Sequence, residues 1–347
     1  MPKILACFGY HAGMQPIVTT TAIETNPRQR VEAALAQRRF FKLIGGGSLT
    51  DAHKIAQLLE VYAHTGMVDC VDVAPEPEVI AAIERVYENL PASVYRPLVM
   101  VSIPLDPDLH FRKIDLIEPQ CIVCDACVPV CPTEAIATVN QAINITEPLC
   151  YGCGRCVAVC PTEALVLHPF LQKEQIANVL GQSLVQAVEI HTQFLDSYML
   201  DDFLKQYGAL LQDKLIALCF RPENKDWIAF CRNLKARLPG FQILQIDGQP
   251  MSGSEDPAAS LPSLAAARFV NAQLPADLAD LHVTISGGIN AQTAEYLNAP
   301  EHGFIAGVGM GTVARQAVWP YLSDHSAQAV LKATQLARAF KNARDRL

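Results

Sequence analysis

Short apolar runs alternate with longer segments of helical period along most of the chain. Phe40 to Ile44 reads as a strand stopped by Gly45-Gly46-Gly47. Leu49 to His64 follows as a helix capped by Ser48 or Thr50, with Ile55, Leu58, Leu59 and Tyr62 on its buried stripe. Cys70 to Ala74 is a second strand, Pro77 to Leu90 a helix with a favourable proline in its first turn, and Leu98 to Ile103 a third strand. After an interruption the alternation resumes with a helix from Lys173 to Leu184, a strand from Ala187 to His191 and a helix from Leu195 to Leu211. Next come a strand from Leu215 to Phe220, a helix from Asn224 to Leu238 and a strand from Phe241 to Asp247. A polar loop from Gly248 to Ser260 leads to a helix around Leu264 to Asn271, and the last strands are His282 to Ser286 and Gly303 to Gly307. Amphipathic helices at Arg28 to Arg39 and Ala327 to Asn342 flank the series.

Eight short apolar strands, each followed by a helix, are the tally of a (β/α)8 TIM-type barrel once the interruption is subtracted. A doubly wound open sheet has the same local pattern, because strand count alone does not close a barrel. Glycines favour closure: Ser286-Gly287-Gly288-Ile289 ends the seventh strand and Gly307-Val308-Gly309-Met310-Gly311 the eighth. Those are the two loops in which such barrels build a phosphate site against a short extra helix, here Thr312 to Gln316. Gly287, Gly288, Gly309 and Gly311 are therefore candidate cofactor-binding positions; tight turns at helix starts are the alternative explanation.

The interruption carries the strongest chemical signal. Cys121, Cys124, Cys127 and Cys131 precede Pro132, and Cys150, Cys153, Cys156 and Cys160 precede Pro161, an internal repeat offset by 29 residues. Each half is the C-x2-C-x2-C-x3-C-P run of two-cluster bacterial ferredoxins, in which the fourth cysteine ligates the other cluster. That rule assigns one [4Fe-4S] cluster to Cys121, Cys124, Cys127 and Cys160, and the other to Cys131, Cys150, Cys153 and Cys156. Zinc sites usually pair C-x2-C knuckles across a longer gap, so the spacing argues against zinc. The organisation expected is a poorly structured leader over residues 1–26, a first part of the barrel over 27–113, the two-cluster module over 114–168, and a second part of the barrel over 169–347. The module then sits in the loop after the third strand, beside the mouth where barrel active sites are found.

Composition narrows the partners. At 347 residues and a net charge of -8, the chain shows no concentrated basic face, which argues against nucleic acid as a main partner. No apolar run approaches the ~20 residues of a membrane span, and the N-terminus lacks a basic region followed by an apolar stretch. Cys7, Cys70, Cys219 and Cys231 are scattered rather than paired, as suits a reducing compartment, so cytoplasmic residence is expected.

Polar residues on strand ends mark the mouth. Glu189 and His191 share parity, as do Cys70 with Asp72 and Cys219 with Arg221, so each pair points to one side of its strand. Together with Lys42, Ser102 and Asp247 they form a set costly to bury in an inert core. Lys42, Glu189, His191, Arg221 and Asp247 are accordingly candidate ligand contacts; a paired network lining a solvated mouth is the alternative. Cys70 and Cys219 read as small core residues.

The run Phe41-Lys42-Leu43-Ile44-Gly45-Gly46-Gly47, the strand Cys70-Val71-Asp72-Val73-Ala74-Pro75, the double cluster motif and Ser286-Gly287-Gly288-Ile289 together resemble the LdpA (light-dependent period) iron-sulfur proteins of cyanobacteria. The resemblance covers the chain from about residue 40 onward; the first 25 or so residues carry none of it. It implies a redox sensor that couples photosynthetic electron transport, quinones included, to the circadian clock through clock-input protein partners. A second reading is enzymatic: a ferredoxin-type oxidoreductase with FMN or another phosphate-bearing ligand in the barrel mouth and redox partner proteins as electron donors. A plain electron carrier would leave hundreds of barrel residues without a purpose.

Overall fold

The computed structural model describes residues 26–108, 110–223, 226–248, 256–322 and 327–342. The expected leader, Asn26 apart, lies outside the described residues, as does most of the loop from Gly248 to Ser260. Twelve strands are present among the described residues: β1 Phe40–Gly46, β2 Cys70–Val73, β3 Leu98–Pro104, β4 Arg112–Leu116, β5 Ile136–Val139, β6 Ala142–Ile145, β7 Leu165–Pro169, β8 Val185–His191, β9 Leu215–Phe220, β10 Phe241–Ile246, β11 His282–Ile285 and β12 Gly307–Met310. Eight of them close a parallel barrel in the order β1-β12-β11-β10-β9-β8-β3-β2. The closed barrel replaces the open-sheet alternative.

Period-two alternation positions the interior. Phe41 and Leu43, Val71 and Val73, Val188 and Ile190, and Leu244 and Ile246 face outward into the shell of helices, in one continuous apolar cluster. The intervening residues face inward. At the N-terminal end of the strands Phe40, Leu98, Ala187, Leu215 and Ile243 pack with Val31, Ala34 and Leu35 of the helix Pro27–Ala36, which plugs the barrel from below. Higher up, the inward positions turn polar: Lys42, Asp72, Ser102, Glu189, His191 and Gln245 are all buried.

Two local expectations are corrected. The second helix is Ala52–Ala63, capped by Asp51, whose carboxylate accepts from the Lys54 N–H at 2.8 Å, rather than by Ser48 or Thr50. The eighth barrel strand is not Gly303–Gly307 but Gly307–Met310, which pairs with β1 from Phe40↔Gly307 to Leu43↔Met310. Gly309 is therefore a strand residue facing inward beside Lys42, and not part of the loop that follows.

The module leaves the barrel after β3 and returns before β8. Its stalk is the antiparallel pair β4–β7, from Arg112↔Pro169 to Leu116↔Leu165. A second hairpin, β5–β6, covers it. The 29-residue repeat extends to backbone conformation: Val123 and Asp125 (φ 51° and 62°) correspond to Gly152 and Gly154 (φ 72° and 74°), and Glu134 to Glu163 (φ 57° and 55°). No helix among the described residues is long and apolar enough to cross a membrane.

Candidate functional site

Each half of the repeat presents its first cysteine at the end of a one-turn helix opened by Glu-Pro. The Cys121 N–H donates to the Glu118 carbonyl at 3.0 Å and the Cys150 N–H to that of Glu147 at 2.9 Å. Left-handed residues then curl the loop so that the second and third cysteines turn toward the same centre. Cys121, Cys124, Cys127 and Cys160 line one small cavity, closed by Leu116, Ile143 and Leu165. Cys131, Cys150, Cys153 and Cys156 line another, closed by Ile114, Ile136 and Leu167. The fourth cysteine of each run thus lies in the cavity of the other run. Two sets of four soft sulfur donors in apolar surroundings are suited to iron-sulfur clusters.

Backbone donors already reach the sulfurs. The Ala135 N–H points at Cys131 Sγ and the Ala164 N–H at Cys160 Sγ, both at 3.3 Å, and the Gly152 N–H at Cys150 Sγ at 3.4 Å. Such bonds stabilise negative charge on sulfur. Burial and the neighbouring thiols push Cys156 up to about 12, a cost that a bound metal reverses because it takes the thiolate. The two cavities differ in exposure: Cys124 of the first is exposed, whereas Cys153 of the second is part of the barrel wall.

That wall encloses a cavity at the barrel mouth of about 90 Å³. Sites for whole cofactors occupy roughly 300–1,000 Å³, so the cavity is smaller than such a site. Glu189, His191, Asp247, Gly287, Gly288, Gly309 and Gly311 line it, together with Asp72, Ser102, Gln245, His110, Tyr151 and Arg315. Lys42 lies at its floor, 1% exposed, paired with Glu189 and 3.4 Å from Asp72. Arg221 lies outside the lining, its Nε 3.6 Å from Asp247.

The floor is one bonded network. Ser102 donates to Asp72 at 2.8 Å, Gln245 donates to Glu189 at 2.8 Å, and His191 Nε2 lies 2.8 Å from the same Glu189 oxygen. Burial alone would lower the Lys42 value, but Glu189 and Asp72 raise it, so the ammonium is retained. Burial raises Asp72 to about 6 against the opposing pull of Lys42. Glu189 is held low, since Lys42 and His191 outweigh its desolvation. Burial likewise opposes the His191 imidazolium, and Cys219 and Glu189 more than offset it. The arrangement holds one lysine and one histidine cation against one carboxylate that stays ionised and one that titrates. It can store a proton, and it presents few free charges to a ligand.

Sequence parity pairs Glu189 with His191, and the fold sets both beside Lys42 and Asp72; the sequence reading misses Gln245, an inward strand residue that parity could have found, and three lining residues that lie off the barrel strands. His110 belongs to the loop after β3 and sits 4.9 Å from the His191 ring, its Nδ1 2.6 Å from Asp108. Tyr151 comes from the module, and Arg315 from the helix Thr312–Val318. Loop and helix residues have no strand parity, so no periodic signal marks them. The glycines after β11 have a packing reason as well: at φ 74° and 66°, a Cβ on Gly287 would lie 2.5 Å from the Gly248 carbonyl oxygen, and one on Gly288 2.2 Å from that of Ala259.

Residues 121–168 match the LdpA Fe-S cluster-binding domain, and residues 179–345 the Light dependent period A C-terminal domain. Comparison with curated proteins gives no match. Among solved structures, tryptophan synthase of Mycobacterium tuberculosis superposes with a TM-score of 0.47 at 11% identity, over 91% of this chain and 98% of that one. The carboxyl transferase domain of Rhizobium etli pyruvate carboxylase superposes with a TM-score of 0.41 at 11% identity, over 96% of this chain and 54% of that one. Likenesses at this level carry no inference about activity. The two domain matches adjoin each other across the cysteine module and the second part of the barrel, and the chain belongs to the LdpA family of iron-sulfur proteins.

Proposed function

We propose that the chain is a redox sensor in which two [4Fe-4S] clusters report the state of photosynthetic electron transport, quinone pool included, to the circadian clock through clock-input protein partners. One observation supports it above the rest: the crossed cysteine sets lie around two neighbouring cavities, the first with an exposed cysteine and the second sharing Cys153 and Tyr151 with the barrel mouth. Electrons enter at the exposed side and reach a cluster packed against a large rigid scaffold. A one-electron change there alters charge and order locally, and a partner reads the change. The clock connection rests on family membership, and the cytoplasm is the compartment proposed.

The test is anaerobic purification followed by metal analysis and partner binding. Two cubane clusters require about eight iron and eight sulfide per chain. Immobilised clock-input proteins are expected to retain the air-oxidised and the dithionite-reduced protein with different affinity. Equal affinity for both forms would sink the sensor reading, because a ligand without differential affinity transmits nothing.

A second reading is favoured by the wall that the barrel mouth shares with the second cysteine cavity, which suits an oxidoreductase with FMN at the mouth. Stoichiometric flavin in the absorption spectrum of the purified protein would support it, and a cluster spectrum without flavin would support the sensor.

A further inference from the structure

Arg315 is the charged side chain of the barrel cavity that the network on its floor does not explain. It is 5% exposed. Its Nη1 donates to the carbonyls of Ile44 at 2.9 Å and Gly45 at 3.0 Å, and its Nη2 to Thr312 Oγ1 at 3.2 Å. Its guanidinium lies over the Tyr151 ring, 4.7 Å from the centroid. Every one of these partners is neutral, and among the described residues no carboxylate forms an ion pair with it. The other charges of the mouth are matched: Lys42 with Glu189 and Asp72, His191 with Glu189, and Asp247 with Arg221. Leaving a guanidinium buried and unneutralised is costly.

Two details of the wall point to what neutralises it. A Cβ on Gly311 would lie 3.2 Å from Arg315 Nη1 and one on Gly46 3.6 Å from the same atom, so these glycines keep the approach to the guanidinium open from the cavity. The Tyr151 hydroxyl in the same wall is buried without a hydrogen-bond partner among the described residues. Behind Tyr151, Cys153 lines both the barrel cavity and the second cysteine cavity.

We propose that the barrel cavity binds a phosphate group on Arg315, and that this one cation is shared with the second cluster, so that ligand binding and cluster reduction oppose each other. The proposal rests on the cluster assignment given above. An electron added to the cluster increases the negative charge facing Arg315, weakens the hold on the phosphate, and by linkage the phosphate makes the cluster harder to reduce. A tenfold loss of phosphate affinity on reduction corresponds to a potential lowered by about 59 mV for a one-electron couple. The barrel would then report a phosphorylated metabolite through the same centre that reports redox state.

The experiment uses anaerobically purified full-length protein and inorganic phosphate as the probe, at constant ionic strength with chloride as the balancing anion. Calorimetry on the oxidised protein should show phosphate binding that falls at least tenfold in Arg315→Gln. Arg315→Lys should bind within a few-fold of the parent, and Gly311→Ala, which keeps the cation and crowds its approach, should bind weaker. Reductive titration followed by electron paramagnetic resonance should show a cluster potential that moves negative with added phosphate and stops moving at saturation, in the parent but not in Arg315→Gln. Absence of saturable binding, or binding unchanged in both Arg315→Gln and Gly311→Ala, overturns the site. Arg315-dependent binding with an unmoved potential overturns the shared cation. Protein that takes up no iron instead defeats the cluster reading, and the calorimetric arm still decides the anion site.

Discussion

The Lys113 ammonium donates to the main-chain carbonyl of Cys150 at 2.9 Å, which ties the module's stalk to the loop that carries three of the four thiols of the second cavity. Its other two donors go to the Glu147 carbonyl at 2.9 Å and to Thr50 Oγ1 at 3.0 Å, a residue of the barrel loop after β1. With the residue fully buried, one side chain bolts barrel, stalk and cysteine loop together.

Replacing it by methionine strands two carbonyls and a hydroxyl without their donor, and Lys113→Met is expected to cost about 1–3 kcal/mol in thermal unfolding. The pH dependence follows from the charge. Burial lowers Lys113 from 10.5 to about 8, so between those values the unfolded chain binds more protons than the folded one. Its contribution to stability therefore rises with pH across that window. Lys113→Met should remove this rise; a parent and variant with the same slope from pH 8 to 10 would contradict it.

The floor of the barrel makes the opposite prediction in acid. Asp72 titrates at about 6 in the folded protein against an ordinary 3.8, so the folded state holds the extra proton in between and stability falls as pH rises through that range. Asp72→Asn keeps an acceptor for Ser102 and leaves Lys42 its Glu189 partner. Denaturant unfolding from pH 4 to 6 should show a flatter profile for the variant than for the parent.

Removing the partner that stays ionised is a harsher change. Lys42→Met leaves Glu189 buried without its main counter-charge, and breaking a buried pair from one side costs about 3–5 kcal/mol. The measurement is the shift of the urea midpoint. The double variant Lys42→Met with Glu189→Leu should recover much of the loss, and no recovery would show that packing rather than charge accounts for it.

Crossed ligation is tested by one sulfur. Cys160→Ser is expected to disturb the centre at Cys121, Cys124 and Cys127, and to leave the signal of the other centre in electron paramagnetic resonance. Selective loss of the second centre would reverse the assignment of Cys160 and Cys131.

The two halves of the repeat are not equally strained. A Cβ on Gly152 would lie 2.4 Å from the Arg112 carbonyl oxygen at a φ of 72°, whereas its counterpart Val123 holds a positive φ with a branched side chain. Gly152→Ala should destabilise the module by about 1–3 kcal/mol and Val123→Gly should be neutral or stabilising. Thermal melts should show a lowered midpoint for Gly152→Ala and an unchanged or raised one for Val123→Gly.

Much of this molecule is legible in its sequence because the signals are local. The barrel strands are short apolar runs with polar residues at fixed parity, which is how Asp72, Glu189 and His191 are found without coordinates, Lys42 being added as a polar residue on a strand. The eighth strand is displaced because Gly307, Gly309 and their neighbours have little strand propensity of their own; pairing with β1 sets the register, a tertiary effect. Arg315, Tyr151 and His110 reach the cavity from a helix, the module and a loop, and what brings them together is separated in sequence by up to the distance from His110 to Arg315. No period or spacing encodes that meeting.

The crossing of the cysteine sets has a mechanical meaning beyond electron transfer. A cluster held by Cys121 and Cys160 would be an inorganic cross-link spanning the whole two-run segment, and the second, from Cys131 to Cys156, would be nested within it. Cross-links that close long loops stabilise by restricting the unfolded chain, and metal-ligand bonds do so only while the metal remains. Oxidative loss of the exposed first cluster would therefore cut the outer staple while the inner one still holds Tyr151 and Cys153 against the barrel. The module would loosen from the solvent side inward, leaving the wall of the barrel cavity the last part to give way.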